Sequence, residues 1–285
     1  MSIYRFLTNV PVSRTNGSRD SGKVERVTEA TSETFRSKRI AVAIPCFNEA
    51  AAIASVIAEW RDALPYAEIV VFDNNSDDGT AAVARSLTAR VVEVPSQGKG
   101  YVVREIFRTL KDQDAVVMID GDGTYSASNA VDLIGPVVSG EVDWSVGIRR
   151  PVDEPGAMSP IRGFGNLIIG LAFRVLIGPG TTDLLSGYRV VGSRSLQTFT
   201  NRSRCFEIET ELASEAVSRS LKVFEAPVVY RPRIEGTTSK LRAFRDGRRI
   251  LKTVVKQSLR LRPWRLVGVV LVILASLAAI LMALL

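Results

Sequence analysis

From Arg39 onward the chain alternates short apolar runs with longer stretches of helical spacing, and this narrows its fold more than any other feature. Ile40–Ile44, Glu68–Phe72, Arg90–Val94, Ala115–Ile119 and Val142–Gly147 read as strands. The stretches between them, Glu49–Leu64, Gly79–Thr88, Lys99–Lys111 and Ala127–Val138, read as helices, the first stopping before Pro65. Strands that alternate with helices build a mostly parallel sheet with helices on both faces. In such α/β sheets the ligand lies beyond the carboxyl ends of the strands. Chemistry-bearing residues are therefore expected just after each strand.

Composition removes several kinds of chemistry. The chain has 285 residues, 46% of them hydrophobic and 24% charged, which suits a globular domain with a sizeable core. It contains no histidine, so a Ser-His-Asp triad, a histidine-held metal and imidazole acid–base catalysis are excluded. Its two cysteines, Cys46 and Cys205, rule out a disulfide framework and a four-cysteine zinc site. The first strand is followed by Pro45-Cys-Phe-Asn-Glu49 and not by G-x-G-x-x-G, and no P-loop motif occurs.

Three loops after strands carry polar residues of interest. Asp120-Gly121-Asp122 follows the fourth strand. Two carboxylates two residues apart on extended chain point to one side and can grip a hard cation such as Mg²⁺. The same residues also make an ordinary Asp-Gly turn. Asp73 to Thr80 reads either as a turn with a helix N-cap or as acceptors for a nucleotide base and ribose. Gln97-Gly98-Lys99-Gly100 reads either as a glycine-rich surface loop or as backbone N–H groups and a lysine approaching an anion. Taken together, base-, phosphate- and metal-binding groups without a hydrolytic nucleophile fit a nucleotide-diphosphate donor.

In the order and spacing of its motifs the chain resembles the family-2 glycosyltransferases of GT-A fold, and within them the branch of dolichol-phosphate mannose synthase and other polyprenyl-phosphate glycosyltransferases. The resemblance covers residues 39–240. It rests on Ile44-Pro-Cys-Phe-Asn-Glu49, Asp73 with Asp77-Asp78-Gly79-Thr80, Gly98-Lys99-Gly100, Asp120-Gly-Asp-Gly-Thr-Tyr125, Gly147-Ile-Arg149, Asp183-Leu-Leu-Ser-Gly-Tyr-Arg189, Glu207-Ile-Glu209 and Tyr230-Arg-Pro-Arg233 with Gly236 and Ser239-Lys240. It implies a nucleotide-sugar site at Pro45, Phe47, Asn48, Glu49, Asp73, Asn74, Lys99, Asp120, Gly121, Asp122, Arg233 and Lys240. It implies a Mg²⁺ or Mn²⁺ ion on Asp120 and Asp122, and an acceptor-phosphate site at Arg149, Arg162, Asn166 and Ser186, with Asp122, Arg149 and Arg162 catalytic. It also implies inversion at the sugar carbon by direct displacement. That chemistry is consistent with a chain lacking histidine, because a phosphate monoester with a second pKa near ~6 is already a dianion at neutral pH. Arginine forks suit it because they bind phosphate bidentately.

The net charge of +7 is unevenly placed. Lys240 to Arg265 holds ten Lys or Arg and one Asp, a net +9 that leaves −2 for the remainder. Leu266 to Leu285 is free of charge and, at ~1.5 Å per residue, long enough to cross a ~30 Å hydrocarbon layer. The basic residues ahead of it put the main domain on the cytoplasmic face by the positive-inside rule. Leu241–Leu261 is amphipathic and basic, fit either for an anionic membrane surface or for docking on the domain. Gly165–Ile177 is an apolar run fit for either bilayer or core. The expected layout is a tail at 1–38, a transferase domain at 39–239, a juxtamembrane segment at 240–265 and a transmembrane helix at 266–285. Lipid phosphate and membrane are the expected partners. Nucleic acid is not, since the basic residues flank an apolar segment and lack interleaved aromatics. A non-lipid sugar or protein acceptor, or an inactive transferase-fold scaffold, stand as alternatives.

Overall fold

Strand β1, Ile40–Cys46, is the centre of the molecule, flanked by β2 (Glu68–Asp73) on one side and β4 (Ala115–Met118) on the other, both parallel to it. The computed structural model describes residues 35–151, 160–199, 202–237 and 243–284. Beyond β2 lies β3 (Arg90–Glu93), also parallel. Beyond β4 the sheet continues through β6 (Arg189–Gly192) and β5 (Trp144–Pro151) to β7 (Val223–Tyr230), in the order β3-β2-β1-β4-β6-β5-β7. Only β6 runs against the rest, antiparallel to both β4 and β5. The expected mostly parallel α/β sheet is therefore the one observed.

Side-chain alternation explains why both faces are covered. Ile40, Val42 and Ile44 point to one face, where α1 (Ala50–Ala63) and α4 (Ala130–Val138) bury Ile53, Ile57, Trp60, Leu133 and Ile134. Ala41 and Ala43 point to the other, where α3 (Lys99–Thr109) and α7 (Ile208–Ser218) bury Val102, Ile106, Phe107 and Leu212. Helix α2 (Thr80–Ser86) joins the first face through Ala84. Phe35, counted with the tail from sequence, is buried against Tyr66. The remainder of the expected tail, residues 1–34, lies outside the described residues.

A third cluster gathers α5 (Pro160–Leu176), α7 and α8 (Ala243–Leu261), with α6 (Ser193–Thr198) a short turn after β6. Ile250 and Val254 of α8 pack with Ile169, Phe173 and Leu176 of α5 and Ala213 of α7. The inner apolar residues of the basic amphipathic helix thus meet protein, and its basic residues face outward. Helix α5 is apolar on two sides: one joins this cluster, while Phe164, Leu167, Ile168, Leu171 and Val175 are exposed. Helix α9 (Pro263–Leu284) follows, and its window Pro263–Ile280 has a mean hydropathy of 2.1 with none of it buried. Among the described residues it is the one helix long and apolar enough to cross a membrane.

The start of α3 is pressed onto residues 203 and 204. Gly100 N–H donates to Arg204 O at 3.1 Å, and a Cβ at Gly100 would stand 2.2 Å from Ser203 O, a backbone atom that cannot swing aside. Gly100→Ala should therefore cost about 1–3 kcal/mol of stability, as overpacked sites do, read as a lower urea midpoint at unchanged slope.

Candidate active site

The carboxyl ends of the parallel strands carry loops that hold one another in place. After β1, Asn48 adopts a left-handed φ of 55°, a conformation asparagine tolerates. Its side chain donates to Asp77 Oδ1 at 2.7 Å and accepts from Asp77 N at 3.0 Å. Asp78, from the loop after β2, accepts from Ala50 N at 2.9 Å and so caps α1 across the chain. Those hydrogen bonds hold the Asp78 carboxyl below its ordinary range even though partial burial opposes ionisation. Thr80 Oγ1 accepts from Glu49 N at 2.9 Å. Much of the Asp73–Thr80 motif therefore caps and ties loops.

Two neighbours in that motif differ. Asp73 accepts from Ser76 N through Oδ2 at 3.1 Å, while its buried Oδ1 has no protein partner. Asn74 is committed to the loop after β3: its amide donates to Val94 O at 3.0 Å and Ser96 O at 2.8 Å, and its carbonyl accepts from Gly98 N at 2.7 Å. With Gly98 N on Asn74 and Gly100 N on Arg204 O, the glycine motif does not offer those two N–H groups to an anion. Its glycines serve close backbone packing, which the anion reading from sequence had not foreseen.

Lys99, between those glycines, reaches inward. Its Nζ lies 2.6 Å from Asp120 Oδ1 and 2.8 Å from Glu209 Oε1. Burial works against its charge, but the two carboxylates outweigh it and push the lysine above its ordinary range. Asp122, two residues from Asp120, accepts from Thr124 N at 3.1 Å and Thr124 Oγ1 at 2.7 Å. Its Oδ2 is 2.6 Å from Arg233 Nη2, and Arg233 Nη1 stands 3.7 Å from Glu49 Oε1. Gly121 separates the two aspartates because Cys46 Sγ fills the space: a Cβ there would come within 2.5 Å of the sulfur. Burial first, and then Glu49 and Asp73, push the Cys46 thiol well up, which disfavours its thiolate.

The two carboxyls are driven apart. For Asp120, burial opposes ionisation but Lys99, Arg233 and Arg149 outweigh it and hold the group below its ordinary range. For Asp122, burial and the charge of Asp120 push the carboxyl up against the pull of Arg233. A pair of oxygen ligands in mutual repulsion, Asp122 buried and Asp120 partly exposed, is a donor set that a hard divalent cation relieves, so these residues fit one. Among the described residues no group of three Asp, Glu, Cys or His gathers for a metal. Two carboxylates plus substrate phosphates is the arrangement Mg²⁺ ordinarily takes.

On β5, Arg149 is held by Asp183: Nε to Oδ2 at 2.8 Å, Nη2 to Oδ1 at 2.7 Å, and its backbone N to Oδ2 at 3.1 Å. Its guanidinium carbon lies 5.5 Å from the centroid of the Tyr230 ring. Ser186, expected from sequence at the acceptor-phosphate site, is fully buried and donates to Gly147 O at 2.6 Å, which ties its hydroxyl to β5. Asn166 is half-buried on α5. Arg162 lies one turn earlier on that helix with its side chain outside the described residues, as is Lys240 altogether. Pro45 lines a small cavity with Lys99, Arg189 and Glu209, and Phe47 is half-buried on the turn after β1.

Sequence reasoning gave no role to Asp183, Glu209, Tyr125, Arg189 or Tyr230, although the first four sat inside its motif blocks and Tyr230 opened another. Buried Arg189 donates to Ser186 O at 3.1 Å and Leu184 O at 2.9 Å, which braces the loop between Asp183 and β6. Tyr125 OH accepts from Gly187 N at 2.8 Å on the same loop. The only signal for these residues was a charge or a phenol beside an apolar run, which does not name a partner.

Residues 41–191 match the family model described as glycosyl transferase family 2, and the chain belongs to that family. It is 38% identical over 208 residues to glycosyltransferase AglJ of Haloferax volcanii, covering 73% of this chain and 68% of that protein. It is 32% identical over 230 residues to a dolichyl-phosphate hexose transferase of the same organism, covering 78% of this chain and 95% of that one. Among solved structures, glucosyl-3-phosphoglycerate synthase from Mycobacterium tuberculosis in complex with Mn²⁺ and UDP-glucose is similar with a TM-score of 0.62 and 21% identity, covering 86% of this chain and 84% of that one. That likeness is one of fold, and it agrees with the GT-A architecture expected from the motifs. The protein is thus a family-2 glycosyltransferase of GT-A fold, related in sequence to transferases that act with polyprenyl phosphates.

Asn74→Ala removes three hydrogen bonds that hold the loop after β3. It should lower stability by about 1–3 kcal/mol and speed hydrogen exchange at the amide of Gly98.

Proposed function

We propose that this chain transfers a hexose-type sugar from a UDP- or GDP-sugar to a polyprenyl or dolichyl phosphate, with inversion, at the cytoplasmic face of a membrane that α9 enters. The observation that carries the reading is the pairing of Asp120 and Asp122 with Lys99 and Arg233 at the carboxyl ends of the sheet. It is a compact set of opposite charges of the kind a metal-bound diphosphate would engage. Relatives named for dolichyl, polyprenol and undecaprenyl phosphate support the acceptor class. The exposed apolar faces of α5 and α9 support a membrane-borne acceptor. Helix α8 links these to the site, because Arg249 Nη1 reaches Cys205 Sγ at 3.6 Å, next to the Arg204 carbonyl that meets Gly100.

In this reading Pro45, Phe47 and Asp73 receive the nucleoside, with the buried Asp73 Oδ1 as acceptor for a base N–H. Asp120 and Asp122 would hold Mg²⁺ or Mn²⁺, which when bound offsets the charge that develops on the departing diphosphate. Arg233 and Lys99 sit beside these carboxylates and supply further positive charge. Arg149 offers the acceptor phosphate Nη1, since Nε and Nη2 are taken by Asp183. Arg162 and Asn166, four residues apart on one face of α5, would extend the acceptor site. One oxygen of the phosphate dianion forms the new bond to the anomeric carbon. The bond from that carbon to the diphosphate oxygen breaks, and the nucleoside diphosphate leaves with the electron pair. No proton has to be removed, so no general base is required.

Detergent-solubilised protein with Mg²⁺ or Mn²⁺, polyprenyl phosphate and a panel of UDP- and GDP-sugars tests the reading directly. A lipid-linked sugar should form with one donor and cease on chelation. Asp122→Ala should lower the rate by about 10²–10³-fold, the scale of losing one charge-stabilising group. Nucleotide release without a lipid product would move the acceptor to a sugar or protein. No release with any donor from folded protein would overturn the enzymatic reading.

A further inference from the structure

The turn after α5 holds a second cluster of positive charge, separate from the carboxylate pair. Gly178 is buried there with a φ of 138°, and two guanidinium groups approach it: a Cβ at this position would stand 2.9 Å from Arg262 Nη1 and 3.4 Å from Arg265 Nη1. Arg265 Nη1 donates to Arg174 O at 3.3 Å, and Ser258 Oγ donates to Leu176 O at 3.0 Å. Both acceptors are terminal carbonyls of α5, where a helix favours cations. The corner between α8 and α9 is thereby fastened to the end of α5, from whose last turn the exposed side chain of Arg174 departs.

No carboxylate answers these arginines. Residues 160–182 and 247–285 contain no Asp or Glu, and among the described residues none of the three arginines has an ion-pair partner. What adjoins the cluster is apolar and faces outward. Helix α9 continues directly from Arg265 into its exposed apolar run, Trp264 is 64% exposed, and α5 presents Leu171 and Val175 on the turns just before. A phosphate alone would satisfy the charge and leave these apolar surfaces bare. An amphiphile with an anionic head satisfies both. We infer that Arg262 and Arg265, with Arg174 beside them, bind the headgroup phosphate of an anionic phospholipid where α9 enters the bilayer. This rests on the membrane reading above and adds to it a fixed lipid site outside the transfer centre. Basic clusters at this level are suited to anionic headgroups, and arginine forks to phosphate oxygens.

The tryptophans supply a local probe. Trp60 and Trp144 are 0% and 1% exposed, which leaves Trp264, between the two arginines, as the residue lipid can reach. The full chain is reconstituted in vesicles, and quenching of its fluorescence by brominated phosphatidylglycerol is compared with that by brominated phosphatidylcholine at equal mole fraction and physiological salt. Phosphatidylglycerol should be preferred by roughly fivefold in relative association constant, the scale set by one basic residue near an anionic surface. Arg262→Gln with Arg265→Gln should abolish that preference. Lys252→Gln with Lys256→Gln, on the exposed side of α8, should leave it intact. Equal quenching by the two lipids would overturn the headgroup site and leave the membrane reading standing. Absence of quenching by either would overturn both. Equal loss of preference in the two variant pairs would reduce the effect to diffuse surface charge, and reversal by millimolar inorganic phosphate would make the cluster a free-anion site. Either of these also overturns the proposal.

Discussion

Two carboxylates at the end of β4, Asp122 buried and Asp120 partly so, repel each other, and the surrounding chain is organised to hold them there. Asp120 keeps its charge because Lys99 lies 2.6 Å away, and Asp122 is tempered by Arg233 at the same distance. Neither cation comes from a neighbouring position in sequence. Lys99 opens α3 and Arg233 follows β7, at the other edge of the sheet. Both ends of the chain's fold must therefore be complete before the pair is compensated. Because burial strengthens each attraction and makes an unpaired charge costly, the arrangement stands or falls as a unit.

Supporting contacts act by limiting where the cations can go. Glu209 takes the other side of Lys99 at 2.8 Å, so the lysine is gripped between two elements. The bare backbones of Gly98 and Gly100 let α3 approach residues 203 and 204 closely enough for that grip. Asp183 does the same for Arg149 from a loop that Arg189 and Tyr125 brace. A charged side chain held at several atoms loses less freedom when a ligand arrives, which is the value of preorganisation in a phosphate site.

Most of the parallel half of the sheet was readable because β1, β2 and β4 are buried on both faces and read as apolar runs. Ile40–Cys46 and Ala115–Met118 announce themselves in this way, and the loops after them hold the acidic motifs. In the later half β5 was read from Val142–Gly147, but β6 and β7 were not. Strand β6 has four residues and begins with an arginine that is buried yet satisfied by the carbonyls of Leu184 and Ser186. No hydropathy pattern marks a charge as interior when its partners are backbone atoms. The ties of Asn74 and Ser186 were equally hidden, since a polar residue in a loop looks the same whether it faces ligand or backbone. Asp120 and Asp122 could be picked out because their spacing carries chemistry in itself. Glu209 and Asp183 could not, because each matters only through the cation it meets across the fold.

The basic and apolar segments near the end of the chain were legible as composition but not as arrangement. Amphipathic spacing in α8 fitted a membrane surface and a docked helix equally well, and packing decided for Ile250 and Val254, which join the third cluster. Helix α5 has apolar residues on more sides than protein covers, and its outer face adds to the exposed apolar surface that α9 carries. The basic residues of α8 then form a rim beside that surface. A helix fixed to the domain by its inner face cannot tilt freely, so an apolar surface carried by α5 and α9 would be presented at a set angle to the carboxyl ends of the sheet. For a transferase whose acceptor phosphate hangs from a bilayer, that fixed angle would do the work that a binding pocket does for a soluble acceptor.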